Sequence, residues 1–560
     1  LKYPVATLGC LKWLLEQPNH WSDLYMKSTI ARFFSLLVMA VLLASCSMDH
    51  RQTEQIGITQ SQDDHDIEWT ILFYGAGNQA GDMLREGQSQ TIEIVHGLQN
   101  TYTTERVHAA ALISTVEDNG QCRFFDIQFH PGEEGNRISS ESQDWGQQDM
   151  SSPQLLKRFV DSVTAQYPAR HYALIIGGEG EAWRGACRDD ANGGQMMPIP
   201  ALRQSLDAAI SQNGSPMHFD LILWLTPGMS TMEVAYEMRN KADFMVATSS
   251  RLPQPGFLAS DQWMLDLTAD PTMSAERLGR FMIARMAERA QAVRDTLATF
   301  VLLDMHFMGE LARHISIMAD SVRGVLQGNS SQMLQVWQSL WDTQTGDSFS
   351  VDVPAFTNAV LAHEIFSSYP GIRQTAEHAQ QGFNHVFIDR RSTRQGSERR
   401  GLTIYSPMVL LEEELQVYNA LRMSQDEPGW ADLLSAMQES GSELVKINGR
   451  VSWAGHALQN LYVFLNTSPV GSPQIALTSP VFLTNIITPD NAEYESFFAL
   501  AADSVEAYLG IFQDLDNDQQ LSSGDRYGYY HQNPSPPRDW MVIYSGDEIS
   551  SAHIDLSRTY

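Results

Sequence analysis

The apolar and polar positions between Phe219 and Ser250, FDLILWLTPGMSTMEVAYEMRNKADFMVATSS, read as a buried strand, a sharp turn, an amphipathic helix and a second buried strand. FDLILWL is a short apolar run closed by Pro227 and Gly228, the form of a buried strand. Met232, Ala235, Tyr236 and Arg239 follow at helical spacing, and Ser230 with Glu233 three residues on has the form of a capping box. FMVATSS reads as a second buried strand. In an open α/β sheet, ligands and nucleophiles gather where a strand ends just before a helix. Here that turn runs Leu225-Thr226-Pro227-Gly228-Met229-Ser230 and holds no Cys, His, Asp or Glu.

The same grammar extends on both sides. WTILFYGAG, VHAAALIS, CRFFDIQF, HYALIIGG and TFVLLDM read as strands. A helix is expected over 82–98. Another opens at Ser152-Pro153, with Leu155, Leu156, Phe159, Val160 and Val163 on its apolar face. Helices are also expected near 200–212, 275–295 and 307–326, through most of 331–380, and around Trp430. GLTIYSP (401–407) is a late strand. Strands alternating with helices predict an α/β domain, a mainly parallel sheet with helices on both faces. From about Leu444 the texture changes to short strands with Pro, Gly, Ser and Asn between them, predicting a separate all-β sandwich over 444–560.

Length and charge narrow the class. The chain has 560 residues and a net charge of −30, which argues against nucleic acid as a partner. Only six residues are Lys, the other basic positions being Arg. That balance fits a protein kept soluble by repulsion in salt, and equally an ordinary acidic exported protein.

The first residues change the picture more. Residues 1–25 carry no pattern and are expected to be an upstream extension of the true start. From Met26 the chain reads MKSTIARFFSLLVMAVLLASC, with a basic start at Lys27 and Arg32, an apolar run and small residues before Cys46. Leu43-Ala44-Ser45-Cys46 resembles the lipobox of bacterial lipoproteins. The resemblance implies a signal peptide over 26–45 and lipid on Cys46. Ser47 after it points to the outer membrane of the cell envelope. Residues 46–66 are a polar tether before a domain over 67–440. Of the other cysteines, Cys122 and Cys187 either pair in an oxidising compartment or stand as two free buried thiols.

Taken together, ordered segments across residues 67–435 resemble the clostripain family of cysteine peptidases. WTILFYGAGNQ is similar to the family's first strand. MSSPQLLKRFVDSVTAQYPARHYALII is similar to the helix and strand before its catalytic His. WRG with DDANGGQMMPIPALR resembles the following loop, EVAYEMRNKADFMVATS the nucleophile segment, and GLTIYSP the late GLSIYFP strand. The resemblance implies a caspase-like fold and a Cys–His dyad from the patterns WDHGxGW and FDxCLMG. Such a dyad needs a thiolate made by a neighbouring imidazole. In this chain the His position falls on Gly178, give or take one residue. The Cys position falls on Pro227, and the acid that helps read a basic P1 side chain falls on Leu225. No Cys follows Cys187, and no His lies between His171 and His218. The dyad therefore cannot be assembled in family order. Catalytic residues are expected to be none, and Glu179 and Glu181 are rim carboxylates able in principle to act as acid and base. Trp183 and Trp224 are expected in the core.

INGRVSWAGHALQNLYVFL resembles the opening of prealbumin-like or carboxypeptidase-regulatory-like sandwiches. Asp514, Asp516, Asp518 and Asp525 then stand at the 1, 3, 5, 12 spacing of a calcium loop. Gln519 replaces the turn glycine and Asp525 the usual Glu, so a metal-free Asp/Asn turn is the alternative reading. The expectation is an exported, lipid-anchored protein that needs no cofactor, except calcium if that loop is a site. It would bind an unidentified peptide or protein through an old substrate cleft. The alternative is a peptidase or other hydrolase with a relocated site.

Overall fold

The computed structural model describes residues 67–79, 91, 94–95, 97–98, 103–127, 140–211, 214–249, 252, 258–295, 298–326, 350–393, 400–407 and 412–440, and, further on, 445–456, 458, 461–466, 475–488, 490–498, 500, 504–515, 521, 523–530, 540–556 and 558–559. Strands β1 (Ile67–Gly77), β2 (Val107–Thr115), β3 (Gln121–Ile127), β4 (Ser140–Gln147) and β5 (Ala169–Gly178) precede two short ones, β6 (Ala186–Asp189) and β7 (Gln195–Met197). Then come β8 (Phe219–Leu225), β9 (Ala242–Thr248), β10 (Thr299–Asp304), β11 (Ser350–Asp352), β12 (Phe387–Ser392) and β13 (Thr403–Tyr405).

Nine of these form one sheet in the order β12-β10-β9-β8-β5-β1-β2-β3-β4. The five central strands run parallel, β2-β1-β5-β8-β9. Both edges are antiparallel. The expected parallel sheet is thus the centre of a mixed one. β4, SESQDWGQ, is a polar edge strand that no apolar alternation announces. The late strand GLTIYSP joins β11 in a separate two-stranded sheet.

The apolar runs read as strands because both faces are covered. Leu72, Tyr74 and Ala76 of β1 enter one core, while Trp69, Ile71 and Phe73 enter the other. β8 divides in the same way, with Ile222 and Trp224 against Leu221, Leu223 and Leu225. Helices cover the first face: α1 (Pro153–Gln166), α2 (Ile199–Ala208) and α3 (Met232–Met238). α4 (Ser260–Ala269) and α5 (Ala275–Ala292) cover the second, and α6 (Met308–Leu326) returns to the first. α7 (Val353–Ala362), α8 (Pro370–Val386), α9 (Glu412–Asn419), α10 (Arg422–Asp426) and α11 (Gly429–Ser440) complete the layer. α1 buries the five apolar residues that its spacing predicted. The described part of 82–98, Thr91, Ile94, Val95, Gly97 and Leu98, is helical, and the rest lies outside the described residues.

The strands after α11 are β14 (Val445–Ser452), β15 (Leu461–Asn466), β16 (Ile475–Pro480), β17 (Phe482–Thr488), β18 (Asn491–Phe498) and β19 (Ser504–Gln513). β20 (Arg526–Tyr529), β21 (Trp540–Tyr544), β22 (Glu548–Ile549), β23 (Ile554–Asp555) and β24 (Arg558–Thr559) close the chain. They make a sheet β17-β18-β14-β22 with β23 beside β14, and a sheet β16-β15-β19-β20-β24 with β21 beside β19. Val445, Ile447, Tyr494 and Phe498 of the first share one core with Val463, Leu465, Leu509 and Ile511 of the second. Phe497 packs against the main α/β core, and Asp64–Tyr560 form one compact unit.

Candidate functional site

The site is built where β1, β5 and β8 end together. Gly177 of β5 is in register with Leu225 of β8, and Gly178 with Ala76 of β1. Gly178 has φ 128°. A Cβ there would lie 2.4 Å from the Ala76 carbonyl oxygen, so no side chain fits without moving backbone. Glu179 is therefore the first residue past β5 that can present a functional group. In the facing turn, Thr226 Oγ1 donates to the Ile176 carbonyl at 3.4 Å. Pro227 is half-buried in that turn and offers neither nucleophile nor proton. Leu225 points into the second core, 4 % exposed, where an acid would be surrounded by apolar side chains.

The helix start differs from the Ser230–Glu233 capping box. Thr231 is the N-cap of α3, its hydroxyl accepting from Val234 N–H at 3.3 Å. Ser230 serves instead through its backbone. Its N–H donates to Thr248 O at 3.0 Å and its carbonyl accepts from Thr403 N–H at 2.9 Å. Glu233 is turned inward. One carboxylate oxygen accepts from Tyr405 N–H at 2.9 Å and from Tyr418 OH at 2.7 Å. Tertiary contacts with β13 and α9 thus took a residue that local sequence assigned to the cap. Burial pushes this carboxyl above the usual carboxylate range, against the pull of the two donors.

Beside the turn lies a cavity of about 290 Å³ lined by Gln79, Glu179, Gly180, Glu181, Arg188, Asp190 and Met196. Gly180 joins it to the turn, since a Cβ there would meet Thr226 Cγ2 at 2.6 Å. Gly178 and Pro227 are outside the lining. The loop that makes the cavity is pinned by Asp189, which is fully buried. Its two oxygens accept from Asn78 Nδ2 at 2.6 Å, Met150 N–H at 2.7 Å, and Asn192 N–H and Nδ2 at 3.0 Å each. Gln79 reaches the same loop by donating to the Arg188 carbonyl. Arg188 Nε pairs with Asp190 at 2.7 Å. Among the described residues neither Glu179 nor Glu181 pairs with a cation, so the cavity carries an excess of negative charge. Asn78, Gln79, Asp189 and Asp190 were not singled out as site residues. The signal of the last two, Asp189-Asp190-Ala191-Asn192-Gly193-Gly194, announces a turn and nothing more.

Of the groups able to act as nucleophile or imidazole base, the thiol nearest the cavity is buried in its loop, and His171 and His218 stand at the far strand ends. Cys187 is buried, and desolvation pushes its thiol up to about 12. At neutral pH it is held as the thiol rather than the nucleophilic thiolate. Cys122 is likewise buried, unpaired and pushed up to about 12, so the two cysteines do not form a disulfide. His171 sits near the start of β5, at the far end of that ten-residue strand and roughly 20 Å from Gly178 at the usual rise. There its Nδ1 meets Asp220 at 2.6 Å, which raises its pKa, and its ring stacks on Trp69 at 4.8 Å. His218 pairs with Asp243 at 2.8 Å, also at the far end. Trp183 and Trp224 are core residues, 2 % and 0 % exposed.

Cys46, Asp516 and Asp518 lie outside the described residues. Asp514 and Asp525 are each 1 % exposed, and Asp525 Oδ1 accepts from Leu515 N–H at 2.9 Å. This bond closes the segment upon itself. Among the described residues no group of three His, Cys, Asp or Glu side chains is placed to hold a metal ion.

The parallel centre with helices on both faces is an α/β architecture that matches the expected caspase-like fold class. The clostripain family's sequence profile matches residues 133–376, so the α/β domain is clostripain-like. Among solved structures, the chain is similar to an inactive zymogen of a C11 protease from Parabacteroides distasonis. Identity is 16 %, TM-score 0.47, with 64 % of this chain and 98 % of that one covered. It is also similar to a secreted C11 cysteine protease from Bacteroides thetaiotaomicron, solved with an irreversible peptide inhibitor. There identity is 14 % and TM-score 0.46, covering 66 % and 99 %. No curated protein matches the chain.

Proposed function

We propose that this clostripain-like domain binds a peptide or protein without cleaving it, through the cavity at the ends of β1 and β5. The observation that carries the reading is the composition of those strand ends. Gly178, Glu179, Thr226 and Pro227 stand there, while Cys187 is buried and protonated and His171 lies at the other end of its strand. Glu179 and Glu181 beside a hollow of about 290 Å³ favour a ligand carrying a cationic group. On this reading the protein works at the bacterial cell envelope, held to the outer membrane by lipid on Cys46. The strands from β14 onward act as a prealbumin-like spacer or binding module.

The test is an assay of the purified protein against Arg- and Lys-containing peptides, with and without iodoacetamide. The expected result is no cleavage in either case, together with measurable binding of a lysine-rich peptide that Glu179→Gln and Glu181→Gln weaken. Cleavage that iodoacetamide stops would overturn the reading and establish the peptidase alternative.

For the 514–525 segment two readings are proposed, a metal-free Asp/Asn turn and a calcium site, the second resting on its carboxylates. Two hard carboxylates, Asp514 and Asp525, are drawn inside at its ends, and Asp516 and Asp518 would add oxygens. The ion would cross-link the segment's ends and stabilise the turn. Calcium in place of chelator should raise the Tm. An unchanged Tm identifies the metal-free turn.

A further inference from the structure

The cavity's two unpaired carboxylates ride on one loop, residues 179–188, and that loop is closed on itself. Glu181 N–H donates to Gly185 O at 2.9 Å, Arg184 N–H to Glu181 O at 3.0 Å, and Arg188 N–H to Glu179 O at 3.2 Å. Ala182 and Cys187 are held at φ 50° and 55°, the left-handed region that side chains disfavour. A strained loop keeps its shape only if its surroundings fix it. Two side chains at its middle do so. Trp183 is buried edge-on between Tyr405 and Tyr418, with ring centroids 5.1 and 5.2 Å away. Arg184 lies 4.7 Å over the Trp183 ring, donates to Glu414 of α9, and meets Tyr405 OH at 3.4 Å. Tyr405 OH in turn donates to Glu414 at 3.1 Å, so Glu414 is gripped from both sides. Neither Arg184 nor Glu414 lines the cavity.

We infer that Arg184 and Glu414 are positioning residues for ligand binding: their ion pair holds the 179–188 loop so that Glu179 and Glu181 face the cavity. The inference rests on the binding reading above and adds a part of the chain remote in sequence, α9, to the machinery of the site. Both partners are about 30 % exposed, so the pair is shielded enough to be directional and accessible enough to be exchanged without opening the core.

The experiment uses the full chain and a hexalysine peptide, with affinity and Tm read together. Glu414→Gln and Arg184→Glu should each weaken binding about tenfold, the scale of a small misplacement of binding groups. The charge-exchanged pair R184E/E414R should recover most of the loss, which a purely packing role would not allow. Amide exchange at Glu181, Arg184 and Arg188 tests the clamp without ligand and should quicken in Glu414→Gln. If hexalysine fails to bind the unsubstituted protein but exchange quickens, the ligand reading falls and the clamp stands. Unchanged affinity and unchanged exchange in Glu414→Gln would overturn the inference, as would a double variant no better than the singles.

Discussion

The two ends of β1, β5 and β8 are made from the same three strands and could hardly differ more. At the ends that meet the polar loop lie the cavity, the Asp189 hub and two unpaired glutamates. At the starts lie the imidazoles, His171 on Asp220 and His218 on Asp243, each already satisfied by a carboxylate. A cysteine peptidase needs the imidazole and a thiol at the cavity end. Here the imidazoles His171 and His218 are separated from the hollow by the length of a strand, and Cys187 on the cavity loop is buried, its thiol pushed up by desolvation. A parallel strand carries its two ends far apart, so residues close in sequence to one end of a sheet do not share a cavity with the other.

That contrast can be broken most severely at Trp183. Replacing this buried aromatic by Ala should cost about 3–5 kcal/mol and unseat the cavity loop, leaving the His171 end intact. Denaturant unfolding measures the loss, and amide exchange should show it concentrated in residues 179–197.

Asp189→Asn comes next. It turns one of two acceptor oxygens into a donor that faces Met150 N–H or the Asn192 side chain, and should cost about 2 kcal/mol. Lysine-peptide affinity should fall with it.

Glu233→Gln sharpens the comparison through pH. The folded carboxyl titrates above its ordinary value of 4.5, so the folded state holds the proton more tightly than the unfolded chain. Stability should therefore be fullest below about 4.5 and decline as pH rises through the raised folded value. The amide cannot ionise, so the variant should lose that decline in a Tm-against-pH series. A slope unchanged by the substitution would show that Glu233 is not its source.

The smallest effect belongs to the opposite end. His171 is raised above 6.5 by Asp220, so its stabilisation is complete below 6.5 and is lost as pH rises through the folded value. Asp220→Asn should flatten that step by less than about 1 kcal/mol, because the pair is partly exposed. Ligand affinity should not change.

How much of this was legible beforehand follows from the range of the forces involved. The runs WTILFYGAG, HYALIIGG and FDLILWL marked the central strands because burial on both faces leaves continuous apolar sequence. The order of those segments also carried the family. β4 escaped because an edge strand can be polar. The Ser230 cap was misread because Glu233 has a stronger claim on it from β13 and α9, more than 170 residues away. The cavity was half legible: Glu179 and Glu181 stood on the rim as expected, while Asn78 and Gln79 were not singled out and Asp189 gave only a turn signal.

By itself the sequence determined that no Cys follows Cys187 and no His lies between His171 and His218, which no folding can supply. It determined the α/β alternation for the same local reason, the period at which apolar residues recur. Only the tertiary structure decided that Gly178 has no room for a side chain, that Cys187 is sealed in the core, and that Arg184 meets Glu414 across 230 residues of chain. Those facts depend on which atoms become neighbours once the sheet closes, and no local pattern encodes that.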